Sequence, residues 1–209
     1  MYKAIVFDND GTLLNGSSVI GSMYRVYKEL RPNSPLEEKD FEICYFMSPE
    51  KTWEYLGING NQEEIDYFVK EAIWKNKEDI FPEISSLLMQ LKEMGLILGM
   101  NTSRSHKGWL RACETLGEET VALFDYTITS DQVENHKPAP DSLHLFMKKS
   151  GLKSKEILYI GDSIYDAECA HAAGCDFGLA AWGFHQNVEY QEKYRFSYCM
   201  EVLELLQQD

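Results

Sequence analysis

The feature that most constrains this chain is a short apolar run that ends abruptly in acids. Residues 3–7 read Lys-Ala-Ile-Val-Phe, and Asp8, Asn9, Asp10 and Gly11 follow at once. A run of this length closed by glycine predicts a buried strand and a polar turn. Two carboxylates one residue apart there can face one crevice, where one attacks an electrophile and the other moves a proton. A turn rich in Asx residues without a catalytic role explains the same residues equally well.

The same arrangement of an apolar run followed by polar residues returns twice. Leu96–Met100 leads into Asn-Thr-Ser-Arg at 101–104, and Ile157–Ile160 leads into Gly-Asp-Ser at 161–163. Two further strands are predicted at 125–129 and 176–180, and helices are predicted after Pro82, at 106–116, 141–150 and 164–173. Strands that alternate with helices predict an α/β fold with a Rossmann-like parallel sheet sandwiched by helices. Ligands bind at the carboxyl edge of such a sheet, where the polar residues fall.

The block at 15–80 has a different pattern. Apolar and aromatic residues recur there at helical spacing, with breaks at Pro32, Pro35, Pro49 and the stretch 57–60. We therefore expect several helices, no strand, and a second lobe inserted after the first strand. Its aromatic residues are expected to form the small core of this lobe: Tyr24, Tyr27, Phe46, Trp53 and Tyr55.

Asp162 and Asp166 are a second acidic pair. Their spacing of four places both carboxylates on one face at the start of a helix. An N-cap followed by a first-turn acid is the structural alternative, and for this pair alone it is favoured. If the pair converges with Asp8 and Asp10, the four groups form an oxygen-rich site of the kind that binds Mg²⁺.

Two more residues lie in positions suited to phosphate. Thr102 ends an apolar strand, where a hydroxyl and the next backbone N–H can bind phosphoryl oxygens, although a Ser/Thr turn is the alternative. Lys137 is followed by Pro138 and Pro140, which restrict the local backbone. A solvated surface charge is the ordinary role of a lysine, but a positioned one could neutralise a phosphoryl group and Asp8.

Composition excludes some classes of partner. The net charge is −14, from 20 basic and 34 acidic residues, which argues against nucleic acid and against anionic membranes. No apolar run reaches the ~20 residues that span a bilayer, and we expect no signal peptide. The five scattered cysteines include no Cys-x-x-Cys, so reduced thiols and a cytoplasmic location are expected. A site for an anionic ester would need local positive charge, which a divalent cation and a lysine can supply.

Taken together, these segments resemble the haloacid dehalogenase superfamily, in its phosphoglycolate-phosphatase and β-phosphoglucomutase-like branch. The four matching motifs are FDNDGTL, MNTSR, KPAPD and GDSIYDAECAHAAGC, in that order. The resemblance covers 1–14 and 81–209, which it implies are the catalytic core. The block at 15–80 stands where this branch carries a helical cap.

The resemblance implies a role for each matching residue. Asp8 would be the nucleophile, and Asp10 would be first general acid and then general base. Thr102 would bind the phosphoryl group with backbone help from Ser103, and Lys137 would bind phosphate and balance charge. The implied metal is Mg²⁺, held by Asp8, the carbonyl of Asp10 and Asp162, with Asp166 in the outer shell. Asp10 must be protonated for the first step, so we predict that neighbouring carboxylates raise its pKa.

The implied activity is the Mg²⁺-dependent hydrolysis of a small phosphate monoester through an aspartyl-phosphate. Dehalogenases of the superfamily lack the second carboxylate that Asp10 supplies here. A phosphomutase acting on a sugar phosphate would use the same motifs, and a non-catalytic phospho-ligand-binding module could share the fold. A receiver-like regulator is disfavoured by the insertion at 15–80. Ser103 and His136 depart from the asparagine and glycine common in the branch, which affects specificity. Substrate and oligomeric state are left open.

Overall fold

A computed structural model describes residues 2–47, 49–76, 78–183 and 188–207. The chain forms two compact units, one of residues 1–15 with 80–209 and one of residues 16–79. The expected boundaries lie one residue away, at 14/15 and 80/81. Two short strands occur here, β2 (Leu14–Asn15) and β3 (Asp79–Ile80), and they form a two-stranded sheet. The expectation of no strand within 15–80 is therefore wrong at both ends, because strands of two residues leave no alternating pattern to read.

The larger unit is built on a six-stranded sheet in which all paired strands are parallel, in the order β5-β4-β1-β6-β7-β8. The strands are β1 (Ala4–Phe7), β4 (Ile97–Asn101), β5 (Tyr126–Ile128), β6 (Ile157–Gly161), β7 (Asp176–Ala180) and β8 (Tyr194–Phe196). Short apolar strands that alternate with helices produce this architecture, because the helices pack on the two faces of a parallel sheet. The predicted α/β fold is confirmed.

Helices cover the two faces of the sheet. They are α4 (Ile84–Glu93), α5 (His106–Leu116), α6 (Glu118–Val121), α7 (Asp141–Ser150), α8 (Ile164–Ala173) and α9 (Glu201–Gln207), with short 3-10 helices at Ser130–Gln132 and Ser154–Glu156. Ile5 and Phe7 of β1 pack with α4, α5 and α9, whereas Ala4 and Val6 pack with α7 and α8. This alternation along one strand is what divides the core into two layers.

The smaller unit is helical and has its own core. It contains α1 (Ser17–Leu30), a 3-10 helix (Glu38–Phe46), α2 (Pro49–Tyr55), α3 (Gln62–Phe68) and a π-helix (Val69–Trp74). Phe41 is fully buried, and the rings of Tyr24 and Tyr27 pack against it. Tyr55 does not belong to this core, since it is 40% exposed, and the side chain of Phe46 lies outside the described residues.

Among the residues that the structure describes, no helix is both long and apolar enough to cross a membrane.

Candidate active site

The acidic turn after β1 lies beside the ends of the neighbouring strands. Phe7 is in register with Met100 of β4 and with Ile160 of β6. The residues that follow these three strands therefore emerge at one edge of the sheet. Asp8 is fixed there because its N–H donates to the carbonyl of Ile160 at 2.8 Å. Asp8 and Asp162 are both buried, and so is Thr102.

Lys137 reaches this edge from the segment before α7. Its Nζ donates to Asp8 Oδ1 at 2.6 Å and to Asp166 Oδ1 at 2.7 Å, and its side chain is only 6% exposed. The hydroxyl of Tyr159 lies 3.2 Å from the same nitrogen. Burial works against the charge of Lys137, but Asp166 and Asp8 outweigh it, and the pKa of Lys137 is raised. The surface-charge alternative for this lysine is wrong.

Asp166 is surrounded by hydrogen-bond donors. Lys137 and the Tyr159 hydroxyl donate to its Oδ1, the latter at 2.7 Å. The N–H and the hydroxyl of Ser163 donate to its Oδ2. The Ser163 hydroxyl in turn accepts from the Asp166 N–H at 3.2 Å, so the two residues form the capping box of α8. Both carboxylate oxygens are occupied, which fits the expected outer-shell role better than direct ligation.

Asp162 is the opposite case. Its Oδ2 is buried and has no hydrogen-bond partner. It packs against Gly11, whose φ is +80°, and a Cβ built at Gly11 would overlap that oxygen. Burial raises the pKa of Asp162 well above its ordinary value, and the charges of Asp8 and Asp166 add to the rise. A buried carboxylate oxygen without a partner is costly unless a donor or a cation meets it.

These residues fit a magnesium ion. Oxygens of Asp8, Asp162 and Asp166 all lie within 4.8 Å of one another. The possible ligands are all oxygen atoms, which are the atoms that Mg²⁺ prefers. The buried Asp162 Oδ2 has no hydrogen-bond partner, so it could bind a cation. Burial raises the pKa of Asp8, Lys137 opposes that rise, and the carboxylates of Asp166 and Asp10 add to it. A cation between these acids would relieve their repulsion. The carbonyl of Asp10 stays a predicted ligand.

Asp10 lies apart from this cluster. Its carboxylate is bound by Arg104, whose Nε lies 3.0 Å from each oxygen and whose Nη2 contacts Oδ1. Burial alone would raise the pKa of Asp10, but the charge and hydrogen bonds of Arg104 outweigh it and lower that pKa. The prediction of a raised pKa for Asp10 is therefore wrong for this structure. It considered only the neighbouring acids and gave no role to Arg104.

The predicted phosphate-binding residues lie on the same side. Thr102 Oγ1 accepts from the N–H of Arg104 at 3.1 Å, which is the Ser/Thr turn considered as the alternative. That contact uses the oxygen as an acceptor and leaves the hydroxyl hydrogen for another partner. Ser103 is exposed next to it. A cavity of about 10 Å³, room for one water molecule, is lined in part by Thr102, Ser103 and Lys137.

A second loop closes against the acidic turn. Trp182 Nε1 donates to the carbonyl of Thr12 at 2.9 Å. A Cβ built at Gly183 would overlap the carbonyl oxygen of Gly11. The turn that carries Asp8 and Asp10 is thus backed by a segment from the far end of the chain.

Three residues of this edge have no predicted role from the sequence. They are Arg104, Tyr159 and Ser163. Arg104 and Ser163 stand inside matching motifs, next to residues that were assigned, which marks them as residues of the site without indicating their partners. Tyr159 sits in a continuous apolar strand, and nothing in that strand distinguishes it from a core residue.

Comparison with known proteins identifies the family and the fold. A family model described as haloacid dehalogenase-like hydrolase matches residues 5–180. The pyrophosphatase PpaX of Bacillus velezensis is 27% identical over 86% of this chain and 83% of its own length. The phosphoglycolate phosphatase of Escherichia coli is 32% identical, over 51% of this chain and 41% of its own length. The crystal structure of a Lactobacillus plantarum protein, proposed to be a phosphoglycolate phosphatase, superposes with a TM-score of 0.81 at 29% identity, covering 98% of this chain and 99% of that one.

Proposed function

This chain belongs to the haloacid dehalogenase-like hydrolase family and is a hydrolytic enzyme, and we propose that it is a Mg²⁺-dependent phosphatase of small phosphate monoesters. The observation that carries the proposal is the contact of Lys137 with Asp8 at the buried sheet edge, beside the unpartnered oxygen of Asp162. Asp8 is a buried carboxylate next to a lysine, and the unpartnered oxygen of Asp162 can bind a cation. This arrangement suits attack on the phosphorus atom of an anionic ester. The relatives named as phosphatases support the same reaction class.

In the first half-reaction, an oxygen of Asp8 forms a bond to phosphorus while the bond from phosphorus to the ester oxygen breaks. The departing oxygen takes a proton from Asp10, which must first gain that proton in the complex with substrate, because Arg104 lowers the pKa of Asp10 in this structure. Lys137 stays fixed on Asp8 and faces the transferring group, so its charge offsets the negative charge that gathers there. The Thr102 hydroxyl and the N–H of Ser103 would hold phosphoryl oxygens.

In the second half-reaction, water attacks the phosphorus of the aspartyl-phosphate and loses a proton to Asp10. The bond between phosphorus and Asp8 breaks, which releases phosphate and restores the Asp8 carboxylate. Asp8, Asp162 and the carbonyl of Asp10 would hold Mg²⁺, which would neutralise phosphoryl charge as a Lewis acid. Asp166 keeps Lys137 in place through its contact at 2.7 Å.

The domain roles form part of the proposal. Residues 1–14 and 81–209 would be the catalytic core, and residues 15–80 would be a cap that selects substrate and excludes water. The partner is a small phosphorylated metabolite, for which the relatives suggest pyrophosphate and phosphoglycolate as first candidates. The cytoplasmic location stays a prediction from the cysteines.

The test is a screen of phosphate monoesters and pyrophosphate for phosphate release, with Mg²⁺ and with a chelator. We expect Asp8→Asn to lose at least about 10³-fold in kcat, because the amide cannot form the phosphoenzyme. Asp176→Asn is the matched control, since Asp176 begins β7 at the other edge of the sheet. Equal rates for Asp8→Asn and the unmodified protein would refute the nucleophile. Isomerisation of a sugar 1-phosphate without phosphate release would favour the mutase instead.

A further inference from the structure

Asp10 and Arg104 form a forked ion pair between the loops after β1 and β4. The guanidinium contacts both carboxylate oxygens, with Nε at 3.0 Å from each. The two side chains are 25% and 20% exposed, so the pair is largely withdrawn from water. A forked contact fixes the plane of a carboxylate, which a single contact from a lysine does not.

Arg104 is itself held from three directions. Its N–H donates to Thr102 Oγ1 at 3.1 Å, and its carbonyl accepts from the N–H of Ser130 at 2.9 Å. The stem of its side chain packs on the first turn of α5, where a Cβ built at Gly108 would lie 3.2 Å from Arg104 Cβ. An arginine fixed at its backbone and along its stem presents its fork in one direction, which a freely solvated surface arginine does not.

The charges around Asp10 explain why its carboxylate needs the guanidinium of Arg104. Lys137 is committed to Asp8 and Asp166, at 2.6 and 2.7 Å. Arg104 is a cation that Asp10 contacts directly. Without Arg104, repulsion from the other acids would turn the Asp10 carboxylate away from the carboxyl ends of the strands, where these acids lie.

We propose that Arg104 is a positioning residue that orients the Asp10 carboxylate to act as the base of the second half-reaction. The inference rests on the proposed phosphatase function and deepens it, because it names the group that aims this base. Arg104 would act through Asp10. A carboxylate bound through both oxygens by an arginine is held in the ionised form that accepts a proton, so removal of Arg104 should affect mainly the second half-reaction.

The half-reactions can be separated by the leaving group. An alkyl phosphate needs the proton from Asp10 when its ester bond breaks. The leaving group of p-nitrophenyl phosphate departs without that proton, so the first step stays fast when Asp10 is misaligned. The second step still needs Asp10 as a base. In Arg104→Gln the phosphoenzyme should therefore accumulate with p-nitrophenyl phosphate.

The experiment compares the unmodified protein with Arg104→Gln and Arg104→Lys in Mg²⁺. For Arg104→Gln we expect kcat on p-nitrophenyl phosphate to fall about 10- to 100-fold, part of the usual share of general acid–base catalysis, because the second half-reaction loses its oriented base. We expect a burst of p-nitrophenolate of about one equivalent before a slow steady state. Arg104→Lys should recover part of the loss. Arg195→Gln is the matched control, because Arg195 pairs with Glu192 away from this edge, and it should show neither effect.

Two outcomes overturn the inference. One is a rise in KM with kcat unchanged, which would make Arg104 a substrate-binding group. The other is a fall in kcat on p-nitrophenyl phosphate with no burst of p-nitrophenolate. A second measurement needs no activity: the melting-temperature changes of Arg104→Gln and Asp10→Asn should be non-additive in the double variant, and additivity also overturns it. If the unmodified protein hydrolyses no ester in the panel, the proposed function has failed, and this inference falls with it.

Discussion

A cluster of charged residues lies at each end of the strands of the sheet, and the two clusters differ in their ratio of acids to lysines and in their burial. We call the first the carboxyl-edge cluster: Asp8, Lys137, Asp162 and Asp166. We call the second the amino-edge cluster: Tyr2, Lys155, Asp176 and Lys193. The carboxyl-edge cluster has three acids for one lysine and is buried. The amino-edge cluster has two lysines for one acid, and both lysines are at least half exposed.

The amino-edge cluster satisfies its acid completely. Asp176 accepts from Lys193 at 2.6 Å, from the Tyr2 hydroxyl at 2.7 Å and from Lys155 at 3.2 Å. The ammonium group of Lys193 also lies 5.5 Å from the centre of the Tyr2 ring. The carboxyl-edge cluster leaves Asp162 Oδ2 without a partner. The amino-edge cluster thus satisfies its acid, whereas the carboxyl-edge cluster groups three acids around one lysine and leaves one carboxylate oxygen without a partner.

The largest effect should come from Lys137→Met. This change leaves Asp8 and Asp166 buried without their cation, and removal of one member of a buried ion pair costs about 3–5 kcal/mol. Lys193→Met is the matched control, and it should cost about 1 kcal/mol or less because Asp176 keeps Lys155 and Tyr2. Urea unfolding at neutral pH measures both. Equal losses would show that the two clusters do not differ in the way described.

Asp162→Asn should act in the opposite direction. In chelator, removal of a buried carboxyl group whose ionisation burial disfavours should raise the free energy of unfolding by about 1–2 kcal/mol. The same variant should lose the stabilisation that Mg²⁺ gives to the unmodified protein, because a ligand that binds only the folded state stabilises it. Melting curves with and without Mg²⁺ measure both effects. If the variant is destabilised in chelator, Asp162 has a donor that the structure does not show.

Asp176 gives a prediction about pH. Burial alone would raise the pKa of Asp176, but hydrogen bonds from Lys193, Tyr2 and Lys155 outweigh it and lower the pKa to about 2. A lowered pKa stabilises the fold above the ordinary value near 4, and this contribution is lost as the pH falls from about 4 to about 2. Asp176→Asn should thus cost about 1–2 kcal/mol at pH 7 and much less near pH 2.5. Urea titrations across this range measure the difference, and a constant difference would contradict the assignment.

Tyr159→Phe should have the smallest effect. It removes one hydroxyl that donates to Asp166 and lies 3.2 Å from Lys137, and leaves the ring in place. We expect a loss of about 1 kcal/mol in stability, the usual value of one hydrogen bond, and a few-fold fall in phosphatase kcat. Tyr126→Phe is the control, because Tyr126 lies in β5 and not at this cluster. A variant indistinguishable from the control would show that the hydroxyl does not hold Lys137.

The sequence predicted the parts of this molecule that depend on local pattern. Helix α8 and strand β7 have the predicted bounds. Helix α8 begins after the capping residue Ser163 and ends before Gly174, which are both local signals. The convergence of Asp8, Lys137 and Asp162 follows from the parallel sheet, which brings the ends of separate strands to one edge. The catalytic roles of these residues stay predictions.

What the sequence did not predict depends on contacts between distant segments. The partner of Asp10 is 94 positions away, and no local pattern around Arg104 indicates that contact. In the sequence, Tyr159 cannot be distinguished from a core residue, because only the structure shows that Lys137 lies over its ring. Short elements were also missed, such as α6 and α9, because segments of four to seven residues hold too few turns for a clear period.

The close approach of Gly183 to Gly11 limits which substitutions this protein can accept. Any side chain at position 183 would push against the carbonyl of Gly11, and any side chain at position 11 would push against Asp162. Gly183 therefore lies against the backbone of Gly11, and Gly11 lies against the side chain of Asp162, a candidate metal ligand. Substitutions in the segment around Trp182, far along the sequence from the acidic turn, should be tolerated only if they leave this contact intact. The segment around Trp182 holds no candidate ligand, yet we expect substitutions there to be restricted nearly as strongly as at the candidate ligands.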